Sequence, residues 1–90
     1  MLNTLESLFN LARERKLDPV DGSYTNKLLS DKSLSKAKVL EEINELIEAV
    51  EKDSNKIHEA ADVLYHLIIY FEKSGIKIED VMEELNSRKK

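Results

Sequence analysis

Eleven of the fifteen residues from Ile57 to Phe71 are hydrophobic, too many and too evenly spread for a helix that shows one side to water. A helix apolar on nearly all sides is a packed helix. Ile57, Ala61, Leu64, Ile68 and Phe71 form one stripe and Ala60, Val63, Leu67 and Tyr70 a second, which demands packing partners on two sides. Glu59 and Asp62 interrupt this apolar run, and no Lys or Arg lies between Lys56 and Lys73 to neutralise them locally. A carboxylate carried into such surroundings needs a partner, and Asp62 is expected to be buried.

The rest of the chain supplies the neighbours. Leu2, Leu5, Leu8, Phe9 and Ala12 recur at helical spacing, so residues 3 to 16 read as an amphipathic helix with a capping arrangement of Asn3 and Glu6. Pro19 ends it, the Asp18-to-Gly22 segment is turn chemistry, and Ser23 caps a short helix through Leu29. After a polar Ser30-to-Ser35 connection, Ala37, Leu40, Ile43, Leu46, Ile47 and Val50 predict a long helix over 35 to 52. The polar turn Lys52 to Asn55 is short, so the helix over 55 to 73 folds back antiparallel. Ser74-Gly75 stops it, and Ile78, Val81, Met82 and Leu85 mark a last helix. The expectation is one all-α domain over residues 1–90: four to five helices, a central antiparallel hairpin, and assembly as a dimeric helical bundle, because so short a chain buries a small share of its surface alone.

Composition narrows the function. Net charge is −4. Residues 1 to 40 carry seven basic and five acidic side chains and residues 41 to 90 seven basic and thirteen acidic, a balance opposed to nucleic-acid binding. The longest run free of charge and histidine in the apolar helix, Leu67 to Phe71, is far short of the ~20 residues of a bilayer span. With no cysteine and no evident secretory signal, a cytoplasmic protein is expected.

Glu42-x-x-Glu45 repeats the spacing of Glu59-x-x-Asp62. Residues three apart share a helix face, so each pair can converge on a point, and in an antiparallel hairpin the two points can meet. Four carboxylates suit a hard cation, Mg²⁺ or Mn²⁺. Such an ion with its waters serves phosphate chemistry. Glu41 adds a fifth carboxylate, and Lys27, Lys36 and Lys38 are candidates for phosphate oxygens. Each feature has a plainer explanation as well: an acidic run is ordinarily a solvated face, an exposed lysine is ordinarily solvated, and His66 in a core helix is ordinarily a hydrogen-bonded core residue. No nucleophile with its base and no glycine-rich phosphate loop is present.

The stretches Gly22-Ser23-Tyr24-Thr25-Asn26-Lys27-Leu28-Leu29, Lys38-Val39-Leu40-Glu41-Glu42-Ile43-Asn44-Glu45 and Glu59-Ala60-Ala61-Asp62-Val63-Leu64-Tyr65-His66-Leu67, with Ile78-Glu79-Asp80-Val81, Glu84-Leu85 and Arg88, resemble the phosphoribosyl-ATP pyrophosphohydrolases. The carboxylate pattern alone resembles the wider MazG-like all-α NTP pyrophosphohydrolases; the Ser-Tyr-Thr and Tyr-His elements narrow it. The resemblance implies an all-α homodimer that uses Mg²⁺ to hydrolyse a nucleotide, 1-(5-phospho-β-D-ribosyl)-ATP, to the AMP derivative and pyrophosphate in the second step of histidine biosynthesis. It implies Glu42, Glu45, Glu59 and Asp62 as metal ligands, Glu41, Glu42 and Glu45 as catalytic carboxylates, and Tyr24, Lys27 and Lys38 as substrate contacts. Leu40 stands where that family usually has glycine and Ile43 where it has a small residue, so close approach to substrate or a neighbouring helix differs here. The form expected is monofunctional, without the cyclohydrolase often fused to this family.

Three rivals stand beside this reading: a MazG-like enzyme of ordinary NTPs or dNTPs, a noncatalytic helical dimerisation module, and a di-metal oxidase bundle. The last requires Glu-x-x-His, and the residues three before His58 and His66 are Asn55 and Val63.

Overall fold

The computed structural model describes residues 2–89, and within them the chain forms five α-helices and no strand. They are α1 (Asn3–Leu17), α2 (Tyr24–Ser30), α3 (Lys32–Lys52), α4 (Lys56–Lys73) and α5 (Ile78–Ser87). The all-α expectation and the central hairpin hold, with α3 and α4 packed against each other on either side of a three-residue turn.

Helix boundaries follow local chemistry. Ser23 Oγ accepts from the Asn26 N–H at 3.3 Å and caps α2 as expected. The next helix starts earlier than residue 35, at Lys32, because Asp31 is itself a cap: its carboxylate accepts from the Leu34 N–H at 3.0 Å. The polar run Ser30 to Ser35 thus contains a cap and the first turn of a helix instead of a connection. At α1 the expected Asn3–Glu6 cap is not formed; Leu2 occupies the N-cap position without a side-chain bond.

Both ends of the hairpin close by the same device. Asp53 adopts φ 52°, while Ser54 N–H donates to Ala49 O at 3.0 Å and Asp53 N–H to Val50 O at 3.2 Å. Gly75 adopts φ 75°, while Ile76 N–H donates to Phe71 O at 2.9 Å and Gly75 N–H to Glu72 O at 3.3 Å. This pair of bonds around a left-handed residue satisfies the last carbonyls of a helix. At Asp53 and Asn55 (φ 56°) the left-handed conformation is carried by residues with short polar side chains, the types that tolerate it best after glycine.

The core lies where α1, α2 and α4 meet. Ala12, Leu28, Leu29, Ile68 and Ile69 are buried together, with Leu5, Leu8, Phe9, Leu34 and Tyr65 packed around them. Only part of α4 is enclosed. Val63, Ile68 and Ile69 face the core, whereas Ile57 is 89% exposed and Leu64 50% exposed. The stripe Ile57, Ala61, Leu64 therefore lacks a partner within one chain. Alongside it α3 exposes Leu40, Ile47 and Val50. α5 contributes no buried residue and is tied to α1 by an ion pair of Arg13 with Glu79.

Candidate active site

The four matched carboxylates fall into two adjoining groups. Ligand-type oxygens of Glu42, Glu45 and Glu59 all lie within 4.8 Å of one another, and so do atoms of His58, Glu59 and Asp62, which makes Glu59 common to both groups. The i, i+3 spacing brings each pair to one face, and the α3–α4 turn brings the two faces together.

The buried member is Glu42, not Asp62. Glu42 is 8% exposed, while the Asp62 side chain is 36% exposed and lies 3.3 Å from His58 Nε2. Asp62 escapes burial because the stripe of α4 next to it, Ile57, Ala61 and Leu64, is itself open to solvent. Glu42 Oε2 and Glu59 Oε2 are buried and have no hydrogen-bond partner. Burial raises the Glu42 carboxyl to about 7, and the neighbouring Glu45, Asp62 and Glu41 add to the rise. Glu59 is raised in the same direction by burial and then by Glu45.

Glu41 faces solvent beside this cluster, where Lys38 Nζ holds it at 3.1 Å. Glu41 in turn raises Lys38, and Tyr24 and Glu42 contribute to that rise. Tyr24 reaches the site from α2: its hydroxyl lies 2.9 Å from His66 Nε2, and Lys38 and Glu42 both act on its ionisation. Lys27 points elsewhere. It lines a cleft of about 680 Å³ with Arg15, Lys16, Ser23 and Tyr24, so of the three expected substrate contacts Tyr24 borders both the basic cleft and the acidic cluster.

Within the Ser-Tyr-Thr-Asn-Lys segment two residues are structural. Asn26 Oδ1 accepts from Val20 N–H at 2.9 Å and its Nδ2 donates to Arg15 O at 2.8 Å, which pins the Pro19–Gly22 turn. Thr25 is buried and shares a hydrogen bond with the Tyr65 hydroxyl. Two histidines border the site: His66, buried and hydrogen-bonded as expected of a core histidine, through Tyr24, and His58, which the sequence left aside, through Asp62. The i, i+4 spacing of His58 and Asp62 was the available signal for the latter.

The donor set is oxygen-rich, clustered and partly stripped of water, and two of its buried oxygens are unpartnered, which is what a hard divalent cation requires of its ligands. Residues 2–89 match the family described as "Phosphoribosyl-ATP pyrophosphohydrolase". The chain belongs to that family. It is 43% identical over 89 residues to the phosphoribosyl-ATP pyrophosphatase of Clostridium acetobutylicum, covering 93% of this chain and 79% of the relative. The enzyme of the same name from Bacillus cereus is 39% identical over 93 residues, 98% of this chain and 85% of the relative. A chloroplastic histidine biosynthesis bifunctional protein, hisIE of Arabidopsis thaliana, is 39% identical over 92 residues, 97% of this chain and 33% of that longer protein. Among the described residues no helix is long and apolar enough to cross a membrane.

Proposed function

We propose that this chain hydrolyses 1-(5-phospho-β-D-ribosyl)-ATP to 1-(5-phospho-β-D-ribosyl)-AMP and pyrophosphate, the second step of histidine biosynthesis, as a single cytoplasmic domain over residues 1–90. The observation that carries this reading is the grouping of Glu42, Glu45 and Glu59 across two helices, with Asp62 grouped beside Glu59 and two buried unpartnered oxygens, in a member of this family. An acidic pocket by itself repels a triphosphate. Glu42, Glu45, Glu59 and Asp62 would hold Mg²⁺, with Mn²⁺ as an alternative; when bound, the ion supplies the positive charge that offsets the phosphate oxygens and acidifies water.

The protein's own groups divide the remaining work. Lys38, already drawn into the acidic cluster, and Lys27 in the cleft bind phosphate oxygens at the two ends of the site. Tyr24 orients the substrate between them. The oxygen of a water bonds to one of the two phosphorus atoms flanking the α–β bridge, the bridging P–O bond breaks to release pyrophosphate, and the water's proton passes to a carboxylate. Glu41 suits that last role: it is open to solvent, adjacent to the cluster and paired with Lys38 at 3.1 Å. Glu42 and Glu45, the pair on α3, would hold the cation.

Two copies are expected to work together. The exposed apolar residues Leu40, Ile47 and Val50 of α3 and Ile57 and Leu64 of α4 lie on the hairpin that carries the carboxylates, and a homodimer would cover them.

Pyrophosphate release from phosphoribosyl-ATP, compared with that from ATP and dUTP, tests this reading. Phosphoribosyl-ATP should be the preferred substrate by kcat/KM. Faster turnover of dUTP or ATP transfers the chain to the MazG-like NTP enzymes, and no turnover together with no heat of Mg²⁺ or Mn²⁺ binding transfers it to the noncatalytic modules.

A further inference from the structure

Resting on that reading of the active site, we propose that Tyr24 meets the substrate as a hydrogen-bond acceptor, fixed in that role by His66 as a positioning residue. It therefore recognises a hydroxyl or N–H donor of the sugar or base portion of a nucleotide and not a phosphate oxygen.

The argument starts at a carbonyl. His66 Nδ1 lies 2.8 Å from the backbone oxygen of Asp62. A carbonyl oxygen only accepts, so Nδ1 carries the proton of this bond. In the neutral imidazole Nε2 is then the bare nitrogen, and it lies 2.9 Å from the Tyr24 hydroxyl. Tyr24 must donate. A phenol has one proton, which this bond consumes, and the oxygen is left with lone pairs alone. A phosphate oxygen brought to it would find no hydrogen, whereas a ribose hydroxyl or an amine would find an acceptor.

The ring has little freedom to reverse the arrangement. His66 is 6% exposed and sits edge-on to both Tyr24 and Tyr65, with interplanar angles of 75° and 88°. Tyr65 is itself held by Thr25. Tyr24, in contrast, is 45% exposed, so its remaining lone pairs are accessible. It lines the cleft that contains Arg15 and Lys27 on one side and approaches Lys38 and Glu42 on the other. Cations on both flanks serve phosphates, and the acceptor between them serves what joins those phosphates. Burial also raises the Tyr24 hydroxyl, which keeps it a neutral donor to His66.

The test is calorimetric binding at about pH 8 with Mg²⁺ of two probes, ATP, which carries hydroxyl and amine donors, and inorganic tripolyphosphate, which carries none. Tyr24→Phe should weaken ATP about tenfold, the worth of one such bond, and leave tripolyphosphate within about twofold. His66→Leu frees the Tyr24 proton; it should weaken ATP while leaving tripolyphosphate equal or tighter, a divergence that a general loss of structure would not produce. His66→Gln restores an acceptor and should return the ATP affinity toward wild type. Equal losses for both probes in Tyr24→Phe would overturn the proposal. Nitrogen-detected NMR of the His66 ring decides its first step without any substrate: a protonated Nδ1 and bare Nε2 are expected, and a protonated Nε2 sinks it. A wild-type chain that fails to hydrolyse phosphoribosyl-ATP but shows this divergence would remove the proposed function and leave the Tyr24 assignment standing.

Discussion

Glu42 on α3 and Glu59 on α4 bring carboxylate oxygens within 4.8 Å of each other across the hairpin, and each keeps one oxygen that is buried and takes no hydrogen bond. Like charges so placed work against the fold unless one is protonated or a cation lies between them.

The metal-free protein should consequently lose stability as pH rises. Folded, Glu42 holds its proton up to about pH 7, against an ordinary value of 4.5. Between those values the folded state binds more protons than the unfolded one, so stability present below 4.5 is lost as pH passes through about 7. The expected loss is of the order of 3 kcal/mol for a carboxyl raised to about 7. Thermal melts in chelator at about pH 5.5 and about pH 8 measure it. Glu42→Gln should flatten the profile, and Mg²⁺ should raise Tm more at the higher pH.

Glu45 stands between the two raised carboxyls, acting on both Glu42 and Glu59. Glu45→Gln and Asp62→Asn should each lower kcat for pyrophosphate release by more than about 10²-fold, the scale of lost charge stabilisation at a reacting centre, with the helical circular dichroism unchanged. Full activity in either variant removes that residue from the site.

Much of this was legible before any coordinates, and the exceptions share a cause. Period and spacing placed Leu28, Val63 and Ile68 in helices and Glu42, Glu45, Glu59 and Asp62 on two facing surfaces, because those depend on a helix's own geometry; Ile69, fully buried, fell outside both stripes of α4. Which carboxylate is buried depends on what covers a helix from outside. Apolar neighbours in sequence suggested Asp62, yet Ile57 and Leu64 beside it have no cover within the chain, while Glu42 lies under the hairpin contact. Asp31 was misread for a related reason: a polar residue before a helix looks like a loop until its carboxylate is seen on the Leu34 N–H. The Tyr24–His66 bond spans 42 residues, a separation at which no spacing rule operates.

The turn between α3 and α4 sets the register of the two carboxylate pairs, and it rests on left-handed Asp53 and Asn55. Asn55→Gly should be neutral or stabilising by up to about 1 kcal/mol, whereas Asn55→Val, β-branched at positive φ, should cost about 1–2 kcal/mol. Urea unfolding of both variants measures the difference. Equal stability would show that the turn bears no strain.

Docking of α5 should be acid-sensitive. Arg13 holds the Glu79 carboxyl down at about 2. A lowered carboxyl stabilises above its ordinary value and ceases to do so as pH falls toward about 2. With no buried residue in α5, that loss should appear as faster amide exchange confined to Ile78–Ser87, and Glu79→Gln should reproduce it at neutral pH without changing turnover.

The apolar face of the hairpin gives the last prediction. Leu40 and Val50 are each 57% exposed, Ile57 89% and Leu64 50%, on the two helices that carry the carboxylates. Covering such side chains is worth about 25 cal/mol for each Å² removed from water. An aspartate on a face that the proposed homodimer covers adds an unpaired charge that must be desolvated. Leu64→Asp should therefore shift the sedimentation equilibrium from dimer to monomer. Because the acidic cluster lies on the same pair of helices, turnover should fall with the dimer population and recover at higher protein concentration. Leu2→Asp, on a leucine outside the hairpin that is 84% exposed, should leave both unchanged. A wild-type chain that sediments as a monomer while turning over substrate would show that one hairpin suffices.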